Sequence, residues 1–201
     1  MADEGAHAIG SAIPGHYGAE TTGVTLAETK IVSAWNAHGD AREPRFVDAM
    51  RRIADLELPT VPNTAAASGV LTALWLGPAS WLLVANDALL LTGFDSCRDA
   101  LNAAGGALFD VSASRAAWTV AGPYAALVLA KSCPLDFHPR AFPAGACAQS
   151  VFGRVNALFY KRGASPAFTL LVARSFARDV WRSLCLSASQ YGYDVIPARS
   201  F

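Results

Sequence analysis

The 201 residues amount to between one and two domains at roughly 150 residues per domain, and a hydrophobic content of 53% excludes disorder over the whole length. Charged residues make up only 16%, against about 25% in ordinary soluble domains. Sixteen Lys plus Arg balance sixteen Asp plus Glu, which argues against a protein that lives on nucleic acid and favours association with a partner that covers apolar surface.

Residues 58–86 contain no charged side chain, yet Pro59, Pro62, Asn63, Gly69 and the pair Gly77 and Pro78 interrupt the run. A spanning helix needs about 20 consecutive apolar residues with a satisfied backbone, so no membrane span is expected. Asp3 and Glu4 with no apolar run behind them give no secretory signal, and the cytoplasm is the expected compartment. Cys97, Cys133, Cys147 and Cys185 lie 36, 14 and 38 residues apart. That spacing offers no CxxC pair to start a zinc site, and in a reducing compartment the four read as buried small apolar residues.

In chain order, residues 1–23 hold five glycines and five alanines without periodicity and are expected to form a flexible arm. Residues 30–36 (KIVSAWN) predict a strand, and residues 40–43 followed by Pro44 mark a helix start. Phe46, Val47, Met50, Ile53 and Ala54 then recur at helical period. Residues 70–76 and 81–85 predict two strands joined by a turn at Gly77–Ser80. A second helix follows, with Asp95 or Ser96 to accept free amides, Cys97, Leu101 and Ala104 inward, and Gly105 and Gly106 at its end. Residues 107–112 predict the next strand, giving a βαββαβ order, the split βαβ or ferredoxin-like unit.

The same order recurs in the second half. Residues 116–121 predict a strand, and Gly122 and Pro123 start a helix through Lys131, which Pro134 forbids from continuing. Residues 148–155, 157–161 and 168–173 predict strands. Ser175 is the expected cap of a helix with Phe176, Val180 and Leu184 on one face, and residues 191–196 predict a closing strand. Leu-Leu-Val-Ala occurs at 82–85 and again at 170–173, each time at a hairpin end before a helix. The expected fold class is therefore α+β, with two tandem ferredoxin-like (βαββαβ) units at 24–112 and 113–201 forming one body behind the arm at 1–23.

Chemistry is scarce. Gly105 and Gly106 follow a helix and precede a strand, the reverse of a phosphate-binding loop. Asp136 and His138 with Ser132 or Ser112 lack the GxSxG elbow of a hydrolase, and His7, His16 and His38 make no metal set. Residues 1–130 carry seven basic and thirteen acidic side chains, whereas 131–201 carry nine and three; such a dipolar chain suits an oriented charged partner. Arg174, Arg178 and Arg182 repeat along one helix face, which reads either as a solvated face or as an interface stripe.

Residues 76–83 (LGPASWLL), Asp110-Val111-Ser112 with Arg115, Gly122-Pro123 and residues 133–149 (CPLDFHPRAFPAGACAQ) resemble the gamma subunit of heterotetrameric sarcosine oxidase. That family is itself similar to the folate-binding domain of the glycine-cleavage T-protein, an aminomethyltransferase, with which the tandem ferredoxin-like reading agrees. The resemblance implies an auxiliary subunit without catalytic, cofactor-binding or metal residues of its own. The whole complex would oxidise sarcosine to glycine, form hydrogen peroxide from oxygen and pass the one-carbon unit to tetrahydrofolate. FAD, FMN, NAD and tetrahydrofolate are then expected in the partner alpha, beta and delta subunits. The T-protein family places an Asp-Asp pair where this chain reads Val155-Asn156-Ala157-Leu158, and neither Asn156 nor Ala157 can act as a carboxylate base. Residues 136–145, with Asp136, His138, Arg140 and Phe142, are the expected subunit contact, the alternative being a packed internal connection. A stand-alone folate-binding or aminomethyltransferase-like protein is the second functional reading, and a nucleic-acid module the weakest.

Overall fold

The computed structural model describes residues 13–68, 71–86 and 93–201. Two strands come first, β1 (Gly15–Tyr17) and β2 (Val24–Lys30). There follow β3 (Ser33–His38), α1 (Pro44–Ala54), β4 (Ala65–Ser68), β5 (Leu71–Gly77), β6 (Ser80–Ala85), α2 (Phe94–Ala103) and β7 (Ala107–Asp110). The second half runs β8 (Arg115–Ala121), α3 (Ala125–Ala130), β9 (Cys147–Phe152), β10 (Val155–Tyr160), β11 (Ala167–Ala173), α4 (Ala177–Ala188) and β12 (Tyr193–Ser200). The chain is a mixed α+β protein with a five-stranded sheet ordered β4-β5-β6-β3-β7 and a seven-stranded sheet ordered β1-β12-β2-β8-β11-β10-β9. Among the described residues no helix is long and apolar enough to cross a membrane.

One compact unit comprises Ile31–Ala113 with Gly145–Ala148 and Phe201. Its sheet is antiparallel throughout. Because side chains alternate along a strand, Trp35, Ala37, Ala73, Trp81, Leu83 and Leu108 share one face and pack with Phe46, Ala49 and Met50 of α1 and Leu101 of α2. Each such large side chain contributes about 1.5–3 kcal/mol when fully buried. The opposite face, with Ala34, Leu74, Leu82 and Val84, is also closed to water. Pro44 opens α1 as expected, and Asp55 closes it in the left-handed region (φ 47°), its N–H donating to the Arg51 carbonyl. At α2 the expected cap does not form. Gly93 precedes the helix, Ser96 Oγ donates to the Gly93 carbonyl, and Asp95 pairs with Arg98 at 2.8 Å. After α2, Gly106 sits where there is no room for a Cβ, which would lie 2.8 Å from both the His38 carbonyl oxygen and the Phe46 ring.

The other unit comprises the described residues up to Lys30, Ser114–Ala144 and Gln149–Ser200. Trp118, Val120, Phe168, Leu170 and Phe159 are fully or almost fully buried in its sheet, with Val128 and Leu129 of α3 and Val180 and Leu184 of α4 buried likewise. Three expectations shift here. The helix expected from Gly122 starts three residues later, at Ala125, because Gly122 takes φ 117°, outside helical geometry. Ser175 falls inside a 3-10 turn (Arg174–Phe176) with no side-chain cap bond, and Phe176 points outward at 46% exposure instead of joining Val180 and Leu184. The closing strand extends to Ser200 and pairs in parallel with β2.

The largest differences lie at the start of the chain. Val24–Lys30 is a strand of its own, and although it falls in the expected first unit it pairs antiparallel with β8 in the sheet of the second. Residues 1–12 of the expected arm lie outside the described residues. The rest of the arm contains β1, which adds to the sheet edge beside β12. Edge pairing draws on backbone groups, so a segment poor in apolar side chains still finds partners. Tyr17 stacks on Tyr193 at 5.4 Å.

His16 fastens this edge. Its Nδ1 lies 2.7 Å from Asp194 Oδ1 and its Nε2 lies 2.7 Å from the Ala19 carbonyl, while Thr22 Oγ1 donates to Asp194 Oδ2 at 3.0 Å. A ring with acceptors on both sides is satisfied only as an imidazolium with two N–H donors. The Asp194 carboxylate and then the Ala19 carbonyl raise the His16 pKa above 6.5, and the His16 bond holds Asp194 below 3.8. A raised histidine stabilises below 6.5 and loses that contribution as pH rises through its folded value; a lowered carboxylate loses its contribution as pH falls through its own. Amide protection across β1 and β12, relative to the intrinsic exchange rate, is therefore greatest between pH 3.8 and 6.5 and falls as the pH rises through the folded value of His16. Asp194→Asn should flatten the profile, and protection that stays constant as wild type is titrated past 6.5 would refute the latch.

Candidate functional site

The residues expected to contact a partner form a loop between α3 and β9. Asp136 Oδ1 accepts the His138 backbone N–H at 2.8 Å, and the His138 carbonyl accepts the N–H groups of Ala141 (2.9 Å) and Phe142 (2.8 Å). These bonds fold the loop locally, as Asp side chains do in turns. His138 Nδ1 accepts the Arg140 N–H at 3.2 Å, so Nδ1 carries no proton and the neutral ring bears it on Nε2. Asp136 is thereby engaged with the His138 backbone and the imidazole with the Arg140 backbone. The Asp-to-imidazole bond of a nucleophilic triad is not formed.

Beneath the turn lies an aromatic cluster. Phe137 meets Phe142, Phe159 and Phe168 edge-on, with ring centres 5.6, 5.2 and 5.3 Å apart. Such contacts add to the burial of the rings themselves. Phe142 is 4% exposed, so its ring belongs to the core, whereas Asp136, His138 and Arg140 are on the surface. Part of the loop is thus an internal connection and part is available for contact.

Lys161 secures the loop and was not singled out in the sequence. It is 2% exposed, donates from Nζ to the Phe142 carbonyl at 3.2 Å, and lies 5.5 Å from the centre of the Phe168 ring. A charged donor to a carbonyl is among the stronger hydrogen bonds. The available signal was a single lysine ending the apolar run Ala157-Leu158-Phe159-Tyr160, which marks a cation drawn inward by its strand.

Reactive chemistry elsewhere is quenched. All four cysteines are free; Cys133 and Cys147 are buried and Cys97 and Cys185 half-buried. Burial pushes the Cys147 thiol up to about 11, and its Sγ donates to the Thr64 carbonyl. Among the described residues no group of three or more His, Cys, Asp or Glu could hold a metal ion. Asn156 is exposed, and Ala157 is 6% exposed in β10.

Clefts occur in the unit containing α1. One of about 200 Å³ is lined by Val47, Met50, Arg51, Leu56, Glu57 and Leu58, and a neighbour of about 500 Å³ by Asp40, Arg42, Trp75 and Pro78. Their charges already answer one another. Arg51 Nη2 bonds Glu57 at 2.9 Å, and Arg42 Nη2 bonds Asp40 at 2.7 Å, holding that carboxyl down at about 2. Of the expected stripe, Arg178 and Arg182 are exposed on α4 while Arg174 lies exposed in the 3-10 turn before it, and Leu186, one turn beyond Arg182, is 77% exposed.

Comparison with known proteins places this architecture. The model of the sarcosine oxidase, gamma subunit family matches residues 38–190. The gamma subunit of sarcosine oxidase from Corynebacterium sp. (strain U-96) is 36% identical over 120 residues, 59% of this chain and 56% of that one. The corresponding subunit from Arthrobacter sp. is 34% identical over 110 residues, 55% of this chain and 53% of its own. The aligned stretch thus spans little more than half of each relative. Among solved structures, a chain of heterotetrameric sarcosine oxidase from Corynebacterium sp. U-96, in complex with pyrrole 2-carboxylate, superposes with a TM-score of 0.78 at 28% identity, covering 87% of this chain and 88% of that one. Aminomethyltransferase T of the glycine cleavage system from Bartonella henselae shares the fold alone, with a TM-score of 0.60 at 15% identity over 88% of this chain and 48% of that one. With residues 38–190 of 201 accounted for by a single family, the chain belongs to the sarcosine oxidase gamma subunit family.

Proposed function

We propose that the chain is the auxiliary, non-catalytic gamma subunit of a heterotetrameric sarcosine oxidase, held by alpha, beta and delta subunits that carry FAD, FMN, NAD and tetrahydrofolate. The whole complex then converts sarcosine to glycine in the cytoplasm, reducing oxygen to hydrogen peroxide and transferring the one-carbon unit to tetrahydrofolate. The observation that carries this reading is the family match across residues 38–190, joined to the superposition on a chain of a heterotetrameric oxidase. The engaged His138 and the Asn156 and Ala157 side chains support a role in assembly over one in turnover. Strand order supports reading the body as two ferredoxin-like units. The sequence β5-β6-β3-β7 in one has its counterpart in β10-β11-β8 and β12 of the other, where β2 is inserted before β12.

Co-expression with the neighbouring oxidase subunits is expected to recover one copy of this chain per complex, and the purified chain alone to show no turnover of sarcosine and no micromolar binding of tetrahydrofolate. Turnover of any amine by the chain alone would overturn the reading, and micromolar tetrahydrofolate binding would favour a stand-alone folate-binding protein. Within the loop, we assign the contact to Asp136, His138 and Arg140. Arg140→Glu should lower recovery of the complex about fivefold or more while leaving the free chain's unfolding midpoint in place. Phe142→Ala should instead cost the free chain about 3–5 kcal/mol in denaturant unfolding, as loss of a buried aromatic does. Normal assembly of Arg140→Glu would leave the loop as a purely internal connection.

A further inference from the structure

One end of the seven-stranded sheet gathers cations from five separate stretches of sequence. β8 begins there with Arg115, opposite Ala173 at the end of β11, and Arg174 follows. β10 starts beside that point, after Gly153 and Arg154, since Ala157 pairs with Val172. β2 ends there with Lys30, and β12 runs parallel to it, placing Arg199 and Ser200 alongside Thr29 and Lys30. Among the described residues of these strand ends the one acid is Glu28, and both it and Arg174 are already engaged in interactions.

Lys30, Arg154, Arg174 and Arg199 are exposed. Arg115 is different. It is half-buried, its Nε is shut off from water and meets no hydrogen-bond acceptor. It takes part in none of the ion pairs among the described residues. Burial alone pushes its pKa below the ordinary value. An Nε–H shut off from water without an acceptor costs the free chain stability, because a buried polar group is unfavourable unless a partner replaces its lost hydration. The planar fork of arginine matches a carboxylate.

The width of the cluster decides what it holds. From β12 across β2, β8 and β11 to β10 there are five strands, which at neighbour spacings of 4.7–4.9 Å extend over about 19 Å. A small anion covers one of these positions, whereas an extended acidic segment covers all. A nucleic acid is disfavoured by the zero net charge of the chain.

We propose that this sheet end docks an acidic segment of another subunit, one carboxylate of which closes on Arg115 while the exposed cations around it supply the attracting potential. The inference rests on the reading of the chain as a subunit of a larger complex, and Arg115→Met separates the two. Methionine keeps much of the volume and removes the stranded charge, so the free variant chain should unfold at the wild-type midpoint or above it. Its recovery in the co-expressed complex should fall about tenfold, as when one partner of a buried charge pair is removed. The double variant R154A/R199A, altered only at exposed positions, should weaken assembly less and flatten its dependence on salt. Assembly of Arg115→Met at wild-type yield would overturn the docking role. So would a fall in the free chain's midpoint, which would make Arg115 structural, or loss of inorganic phosphate binding by the variant with assembly intact, which would make the end a small-anion site. Failure of the wild-type chain to enter the complex would overturn the subunit reading itself.

Discussion

The pairing of Val24–Lys30 with Arg115–Ala121 on one side and Tyr193–Ser200 on the other is the constraint on which the larger sheet depends. It joins the beginning, the middle and the end of the chain in three adjacent strands. β12 then lies parallel to β2 instead of antiparallel to β8, and β1 finds the outer edge of β12 to pair with. Pairings this distant in sequence are costly to form because loop closure precedes any reward. They hold because both faces of β2 are buried: Val24 and Leu26 on one, Ala27 and Thr29 on the other. Thr29 and Thr119 add a hydroxyl bond of 2.8 Å across the ladder.

The two halves repeat one plan of strand, helix, three strands, helix and strand, down to the edge strands β4 and β9 that precede each hairpin. The shared Leu-Leu-Val-Ala sits at the same point of that plan. Val84 lies opposite Ala34 in one sheet and Val172 opposite Ala116 in the other, so a small residue faces a branched one in both. The inserted β2 is what makes the halves differ, and it is also what carries Lys30 to the cationic end.

Elements with a strong period were legible in the sequence. Helix α1, with its proline start and apolar stripe, and the β5–β6 hairpin appear where the residues predicted them. β2 was hidden because Glu28 and Lys30 dilute its alternation, and β1 because an edge strand needs little apolar character. At α2 the missed cap has a visible cause, since Ser96 bonds to a carbonyl and Asp95 to Arg98, while at α4 a 3-10 turn (Arg174–Phe176) takes the place of the expected Ser175 cap. In the loop, the prolines and aromatics were visible, but which aromatic faces inward was not. Phe142 is pulled into the core by Phe137 and by Phe168, which arrives from β11 further along the chain. Lys161 and the Arg115 cluster depend in the same way on strand order, which no window of sequence displays.

The molecule keeps its satisfied polar groups for its own folding, as at His16, His138 and Lys161, and among the described residues the Arg115 Nε is buried without an acceptor at a sheet end rich in positive charge. That arrangement is what the proposed docking of another subunit would complete. Hydrogen exchange followed by mass spectrometry, on the chain free and co-expressed with the proposed oxidase subunits, tests this most directly. New protection in the complex should concentrate at the strand ends around residues 30, 115, 154, 174 and 199 and at the surface of the loop 136–145. Identical exchange at these segments in both states would contradict the account.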